Sequence, residues 1–289
     1  MADSVEMADI RGLDIDKTVK GFALREYIFK NDCTISNTTA DHVRWYQETS
    51  TELTATSPSK VKNIAPLANF TTLEPTWTRN TSYIKKYAAE GFISMEDMKS
   101  ADIDVVARTL LRLTRAVVKQ VDSDIWDVMT DTHGTGSAGV NTVTSTAAWN
   151  AGSGQNPIED ILEAKMDIEN YDYSSQGATL YLSPTDHKSL MNWLITSKGS
   201  SIPNYSSEKM GNGVMASILG LNVKVSNNVT ADYAAVVIPK QACTWKSYTD
   251  TTSRAIEDAG IGTKFRVWEL GVGILTDPKA VAVISNTQA

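Results

Sequence analysis

An α+β fold is what this sequence predicts, and three observations carry it. Apolar residues recur at gaps of three and four from Ile103 through Val106, Leu110, Leu113, Val117, Val121 and Ile125 to Val128, the period of one helix face. After them, short apolar runs such as "ATLYLSP" and "YAAVVIP" alternate with helix starts marked by Asn-Pro and Ser-Pro. The C-terminal stretches "GTKFRVWELGVGILTD" and "KAVAVISN" read as strands joined by a turn at Asp277-Pro278.

In chain order, the start is polar and then turns amphipathic in "TVKGFALREYIFK", where Val19, Phe22, Ala23, Tyr27 and Phe29 give a short helix one apolar side. Residues 51–92 are Thr-rich, with Pro58, Pro66 and Pro75 breaking any helix. Within them "ANFTTLEP" and "WTRNTSYIKKY" read as the two strands of a long hairpin. That hairpin is too poor in apolar residues for its own core, so it is expected to project and lean on something else.

The helix that follows is expected over about 94–130, opened by a capping box of Ser94 and Asp97 in "SMED". At 1.5 Å per residue it would be roughly 55 Å long, a spine on which other elements hang. From 155 onward, Asn156, Pro157 and Glu159 mark one helix start, and Ser183 with Pro184 mark another that turns Leu190, Trp193 and Leu194 inward. Between these elements and the next strand runs a long polar loop, "TSKGSSIPNYSSEKMGNG". "LNVKVSN" alternates as a strand, with Leu221, Val223 and Val225 on one face. "KSYTDTTSRAIEDAGIG" reads as a polar, glycine-containing loop before the closing strands.

Charge and cysteine content exclude several classes of function. The 289 residues carry a net charge of −7 with 42% hydrophobic residues, which suits a folded chain and argues against a basic nucleic-acid-binding surface. Cys33 and Cys243 match no metal or redox spacing and read as buried thiols. The start lacks the basic and apolar stretches of a signal peptide, so the protein is expected to stay inside the cell that makes it until released. The longest apolar runs are far too short to cross a bilayer.

The motif richest in chemical possibility is "DTHGTGSAGVNTVTS", residues 131–145. It holds a Gly-x-Gly-x-x-Gly (Gly134, Gly136, Gly139) and places Asp131, His133 and Ser137 close together. A dinucleotide fingerprint must follow a strand and open a helix, whereas this one follows a helix and runs into non-helical sequence. A catalytic triad draws its groups from separate segments, and these three are neighbours. The loop reading prevails. His42, His133 and His187 lack ligand spacing, and no Walker loop occurs. The seven tryptophans are scattered as core or interface anchors. No catalytic, cofactor-binding or metal-binding residue is expected.

A polar arm, a hairpin without a core, a long helix, an α/β segment and a β ending make sense together in a subunit whose neighbours cover its extended parts. In that order of parts the chain resembles the major capsid proteins of tailed bacteriophages, whose fold is shared with encapsulin shells. The residues carrying the resemblance are "AAEGFISMEDMKSADIDVVARTLLRLTRAVVKQVDSDIWDVMTD", with its Asp-rich exit (Asp122, Asp124, Asp127), then "GATLYLSPTDHKSLMNW", "ILGLNVKVSNNV" and "FRVWELGVGILTDPKAVAVI". The resemblance implies an N-terminal arm (1–50), an extended loop (51–92), a peripheral domain with the spine helix (93–151), an axial domain (152–245) and a peripheral loop with closing strands (246–289). It further implies an icosahedral shell of pentamers and hexamers around a double-stranded DNA genome, built in the host cytoplasm. A separate scaffolding protein and a portal would be partners, contact with the DNA would be weak and non-specific, and no membrane would be involved. The alternative it leaves open is an encapsulin-like compartment for protein cargo. Some members cross-link a loop lysine to an asparagine; Lys60, Lys62, Lys85 and Lys86 are available, but "KSYTDTTSRAIEDAGIGTK" has no asparagine, so no cross-link is expected.

Overall fold

A computed structural model describes residues 17, 19–21, 23, 26–48, 64–69, 77–100, 105–196 and 217–289. The chain divides into two compact units. One comprises Met1–Val43, Ser82–Ile125 and Trp245–Gly273, the other Arg44–Thr81, Trp126–Thr244 and Ile274–Ala289.

The first unit is built on a four-stranded sheet. Its strands are β1 (Thr34–Asn37), β4 (Lys85–Ser94), β10 (Cys243–Asp258) and β11 (Gly262–Leu275), in the order β1-β10-β11-β4. β4 and β11 run antiparallel, from Lys85 opposite Gly271 to Ser94 opposite Gly262. Strand alternation divides the sheet into two faces. Tyr87, Ile93, Phe265, Val267 and Glu269 are buried, whereas Lys86, Ala88, Glu90, Phe92 and Arg266 are exposed. The buried face takes helix α2 (Val105–Met129), which approaches so closely that a Cβ on Gly91 would lie 3.0 Å from Thr109 Cγ2.

Short helix α1 (Met95–Ser100) leaves β4 through the expected cap, with Asp97 N–H donating to Ser94 Oγ at 3.1 Å. Residues 101–104 lie outside the described residues, so the expected spine is seen as α1 and α2. The 25 residues of α2 span about 37 Å. Leu110, Val117, Val121 and Ile125 of the expected stripe are buried, joined by Val118, Trp126 and Met129. The described positions between 17 and 26 are helical, with Val19 and Ala23 buried; Phe22 lies outside the described residues.

Two expectations need correction. "KSYTDTTSRAIEDAGIG" is not a loop: its first part completes β10, and only 259–261, with Gly260 at φ +78°, turns the chain into β11. The stretch has few apolar side chains to reveal it. Its threonines nevertheless suit a pleated, half-covered surface, and β10 is held between β1 and β11 by ladder hydrogen bonds on both sides. The hairpin partner also differs. β3 (Trp77–Tyr83) pairs with β2 (His42–Glu48), a strand in the stretch read as an arm. Of "ANFTTLEP", Ala68 and Asn69 are not in a strand and residues 70–75 lie outside the described residues.

The second unit is an α/β layer. Its six-stranded sheet has the order β5-β12-β9-β6-β8-β7, formed by Asn141–Thr144, Val281–Ser285, Tyr233–Val237, Thr179–Leu182, Leu221–Val225 and Ser217–Ile218 respectively. β12 is parallel to β5 and β6 is parallel to β8, while β9 runs antiparallel to both β12 and β6. Helix α4 (Pro157–Glu169) connects β5 to β6, and helix α5 (Pro184–Thr196) follows β6. Ile161, Ala164 and Ile168 of α4 and Leu190, Trp193 and Leu194 of α5 share one core with Leu180, Leu182, Val236 and Ile284.

The central strands are uninterrupted apolar runs because both their faces are covered. Of the alternating set on β8, Leu221 is buried but Val225 is 38% exposed, near the sheet edge. Ser183 caps α5 as expected, accepting from Asp186 N–H at 3.1 Å. Asn156 does not cap α4 through its side chain. The Asn156 amide instead donates to Glu159 Oε2 at 2.7 Å.

Candidate functional site

The glycine-rich loop follows the C-terminus of α2 and leads into β5. A single turn, α3 (Asp131–Gly134), comes first, and there Asp131, Thr132 and His133 all have positive φ, of 46°, 46° and 65°. Left-handed backbone at three successive non-glycine residues costs on the order of 1–2 kcal/mol each and persists only where side chains enforce it. Asp131 turns back on its own loop, its Oδ2 accepting from Ala138 N–H at 2.7 Å. His133 turns the other way. Its ring stacks on Tyr233 at 4.6 Å, and Nε2 lies 2.7 Å from Thr230 Oγ1, the hydroxyl that also accepts from Trp126 Nε1–H at 3.1 Å. Ser137 is exposed.

The three groups singled out in sequence thus have separate partners and do not converge on a reacting atom. The loop's task is mechanical: Gln47 of β2, buried, donates to Ala138 O at 3.3 Å and accepts from Asn80 of β3 at 3.0 Å, tying the β2–β3 ribbon to the loop. Gly136 is required because a Cβ there would sit 2.1 Å from Asp131 Oδ1.

The remaining sequence candidates are dispersed. His42 packs near Tyr83 in the ribbon, at a ring separation of 6.4 Å. His187, in the first turn of α5, is held below the usual histidine range by burial. Cys33 and Cys243 are both buried and share no disulfide. Among the described residues no group of three or more His, Cys, Asp or Glu is arranged to hold a metal, and no helix is long and apolar enough to cross a membrane.

What sequence reasoning missed is a buried polar clamp in the first unit. Glu269 of β11 is fully buried and 2.5 Å from Lys30 Nζ. The hydroxyls of Tyr27 and Thr251 both lie on its other oxygen, that of Thr251 at 2.8 Å. Lys30 Nζ also sits 4.4 Å from the centre of the Tyr27 ring and 5.4 Å from that of Trp245. Beside it, Asp122 of α2 receives the backbone N–H groups of Ile28 at 2.7 Å and Lys30 at 3.2 Å. Burial pushes the Asp122 carboxyl up to about 6, against those hydrogen bonds and the Lys30 charge. Burial and the nearby Glu269 raise the Tyr27 phenol well above its ordinary value.

Two residues further along α2, burial opposes ionisation of Asp124, but Lys85 at 2.8 Å and Tyr87 at 2.7 Å outweigh it and hold the carboxyl below its ordinary range. Two of the aspartates noted at the exit of the helix therefore tie the N-terminal segment and β4 to α2. The clamp pairs residues more than 200 positions apart, so no spacing rule could have found it. This is chemistry of attachment, suited to holding extended segments in place.

Comparison with known proteins agrees. The sequence model of the phage capsid protein family matches residues 79–284. No curated protein matches. Among solved structures, the capsid of cyanophage P-SCSP1u aligns with a TM-score of 0.67 at 12% identity, over 91% of this chain and 89% of its own. The virus-like particle from Pyrococcus furiosus aligns at 0.64 and 11%, over 95% and 99%, and a Mycobacterium phage Che8 chain at 0.63 and 15%, over 91% and 92%. The structural likeness covers about nine-tenths of each chain, and the family match over residues 79–284 establishes that the chain belongs to the phage capsid protein family.

Proposed function

We propose that this chain is a major capsid protein that self-assembles into an icosahedral shell around the double-stranded DNA genome of a tailed virus. The observation that carries the reading is the family match over 79–284 on a fold shared with phage capsid subunits. In this reading residues 1–50 are the N-terminal arm, and 51–92 form the extended loop, laid across an adjacent subunit. Residues 93–151 form the peripheral domain with the spine helix. The axial domain, 152–245, gathers around five- and six-fold centres. Residues 246–289 complete the peripheral domain, and the tip of the β10–β11 hairpin, within 249–264, meets neighbours at local three-fold axes. The subunit performs no chemistry of its own; a scaffolding protein and a portal are its assembly partners.

Exposed apolar side chains at the ends of these parts support contact with other copies. Ile261 at the hairpin tip is 62% exposed, Phe92 beside it 49%, and Tyr46 and Tyr83 on the ribbon 60% and 72%. A second reading, a compartment for protein cargo like an encapsulin, is supported by the alignment with the Pyrococcus virus-like particle over almost all of both chains. Negative-stain microscopy of the chain, expressed alone and with its neighbouring genes, tests both. Closed shells holding nuclease-protected DNA support the first reading, and closed shells holding a protein support the second. A small monodisperse oligomer under every condition overturns both.

A further inference from the structure

Leu67 is placed where neither its backbone nor its chemistry favours it. Ala68 N–H donates to Ala65 O at 3.0 Å, closing a four-residue turn with Pro66 and Leu67 at its centre. Leu67 has φ +67°. At the third position of such a turn a left-handed backbone ordinarily calls for glycine or asparagine, because a Cβ there crowds the following carbonyl. The Leu67 side chain is also fully exposed, the most exposed of the large apolar side chains described. A solitary exposed leucine needs no explanation. One held in a disfavoured backbone, with no burial in return, is explained by something outside the subunit.

A hole of matching character lies on the exposed face of the first unit's sheet. β4 presents Lys86, Ala88 and Glu90 there, and the register sets Ala88 opposite Trp268 and Glu90 opposite Arg266 of β11. The methyl of Ala88 is short beside Lys86, Glu90 and, across the ladder, Trp268. The face therefore sinks over it into a hollow of about 270 Å³, lined also by Ala89 and Val267. Arg266 donates to Glu90, so this part of the rim is an ion pair, while Ala88 and the Trp268 indole give an apolar floor and wall. An apolar floor inside a charged rim is where one side chain contributes most to association, because the rim excludes water from it. Residues 64–69 carry no charge, so seating this turn in the hollow strands no ion of its own.

We infer that Leu67 of one copy is an anchor that seats over Ala88 in this hollow on the next copy. Leu67 does not fill the hollow of its own chain, since it is fully exposed. Knob and hole are different patches of one surface, so the contact is heterologous. Each copy gives its knob to one neighbour and takes the knob of another, and such contacts close into rings where the rotation allows. The turn holds Leu67 outward before docking, so little conformational freedom is lost when it seats. The contact rests on the reading of the chain as a shell subunit, and it names the residue by which the extended loop holds its neighbour.

The test joins cross-linking to assembly, both on the full-length chain. Leu67→Cys/Ala88→Cys is assembled and treated with a short bis-maleimide; Cys33 and Cys243 are buried, and wild type controls for them. The double variant is expected to give a ladder of covalent oligomers, either single variant at most dimers, and wild type none. Leu67→Gly removes the knob while suiting the turn, and Ala88→Leu fills the hole. Each is expected to raise the concentration needed for assembly on the order of 10–100-fold, the worth of one buried leucine side chain per contact. The unfolding midpoint of the unassembled subunit is not lowered in either. Shells without a ladder, or assembly of Leu67→Gly at the wild-type concentration, overturn the contact and leave the shell reading standing. A lowered midpoint in Leu67→Gly also overturns it and assigns the leucine to the fold of its own subunit. A ladder from small rings, in a chain that never forms closed shells, keeps the contact and sinks the shell reading. A wild-type chain that stays monomeric sinks both.

Discussion

Replacing Glu269 by Gln leaves the Lys30 ammonium buried without its counter-ion, and the cost follows from the clamp's geometry. Glu269 is fully buried, Lys30 is 7% exposed, and the two are 2.5 Å apart, so neither charge can be handed to water without moving the β-sheet or the 30–32 turn. Removing one partner of a buried pair typically destabilises by about 3–5 kcal/mol, much of it the penalty of the orphaned charge. Glu269→Gln retains an oxygen for the Tyr27 and Thr251 hydroxyls, so the loss isolates the charge. Lys30→Met makes the mirror-image change and orphans the carboxylate, softened by those two donors, at about 2–4 kcal/mol. The double variant removes both charges and is expected to recover on the order of 2–3 kcal/mol relative to the sum of the singles. Denaturant unfolding of the unassembled subunit at pH 7, run as a double-mutant cycle, measures this directly. A coupling energy below about 0.5 kcal/mol would refute the reasoning, because it would mean that the two charges are solvated independently.

Three further outcomes follow from the same packing. Gly136→Ala drives a methyl into the Asp131 carboxylate, breaks its hydrogen bond to Ala138 and destabilises by about 1–3 kcal/mol, whereas Ser137→Ala stays within about 0.5 kcal/mol; thermal unfolding compares them. Gly271→Ala places a Cβ 2.4 Å from Trp245 Cζ2 and 2.9 Å from the Lys246 carbonyl oxygen, and this overpacking costs about 3 kcal/mol or prevents soluble expression. Asp122 gives a pH dependence. Its folded-state pKa near 6 lies above the unfolded value of 3.8, so its contribution to stability is present below about pH 4 and is lost as the pH rises through 6. Asp122→Asn lacks that loss and gains on wild type by on the order of 3 kcal/mol between pH 4 and 7, read from unfolding midpoints at each pH; a constant difference would contradict it.

Those side chains also mark where sequence stops being informative. The spine helix was legible because burial against one sheet face forces a period near 3.6, and Leu110, Val117, Val121 and Ile125 keep it. The central strands β6, β9 and β12 were legible because strands covered on both faces become apolar runs. The outer part of β10 was not, since it is stabilised by ladder pairing while its own side chains are polar and half-exposed, and β2, with Val43, Trp45 and Tyr46, lay in a stretch read as an arm. The glycine loop could be placed from its context, after a helix and before a strand. Its anchoring of Gln47 could not, because that contact spans 91 residues. Sequence spacing reports local periodicity, and the clamp and loop are built from contacts with no period at all.

Charge is the clearest case of a property visible in the sequence but misjudged when summed. The value of −7 is a fair description of the chain and a poor one of α2, where a helical projection places Arg108, Arg112, Arg115 and Lys119 on one face. What the projection lacks is the fate of the aspartates. Only the fold shows Asp122 and Asp124 spent on the N-terminal segment and on β4 while the cations remain outside.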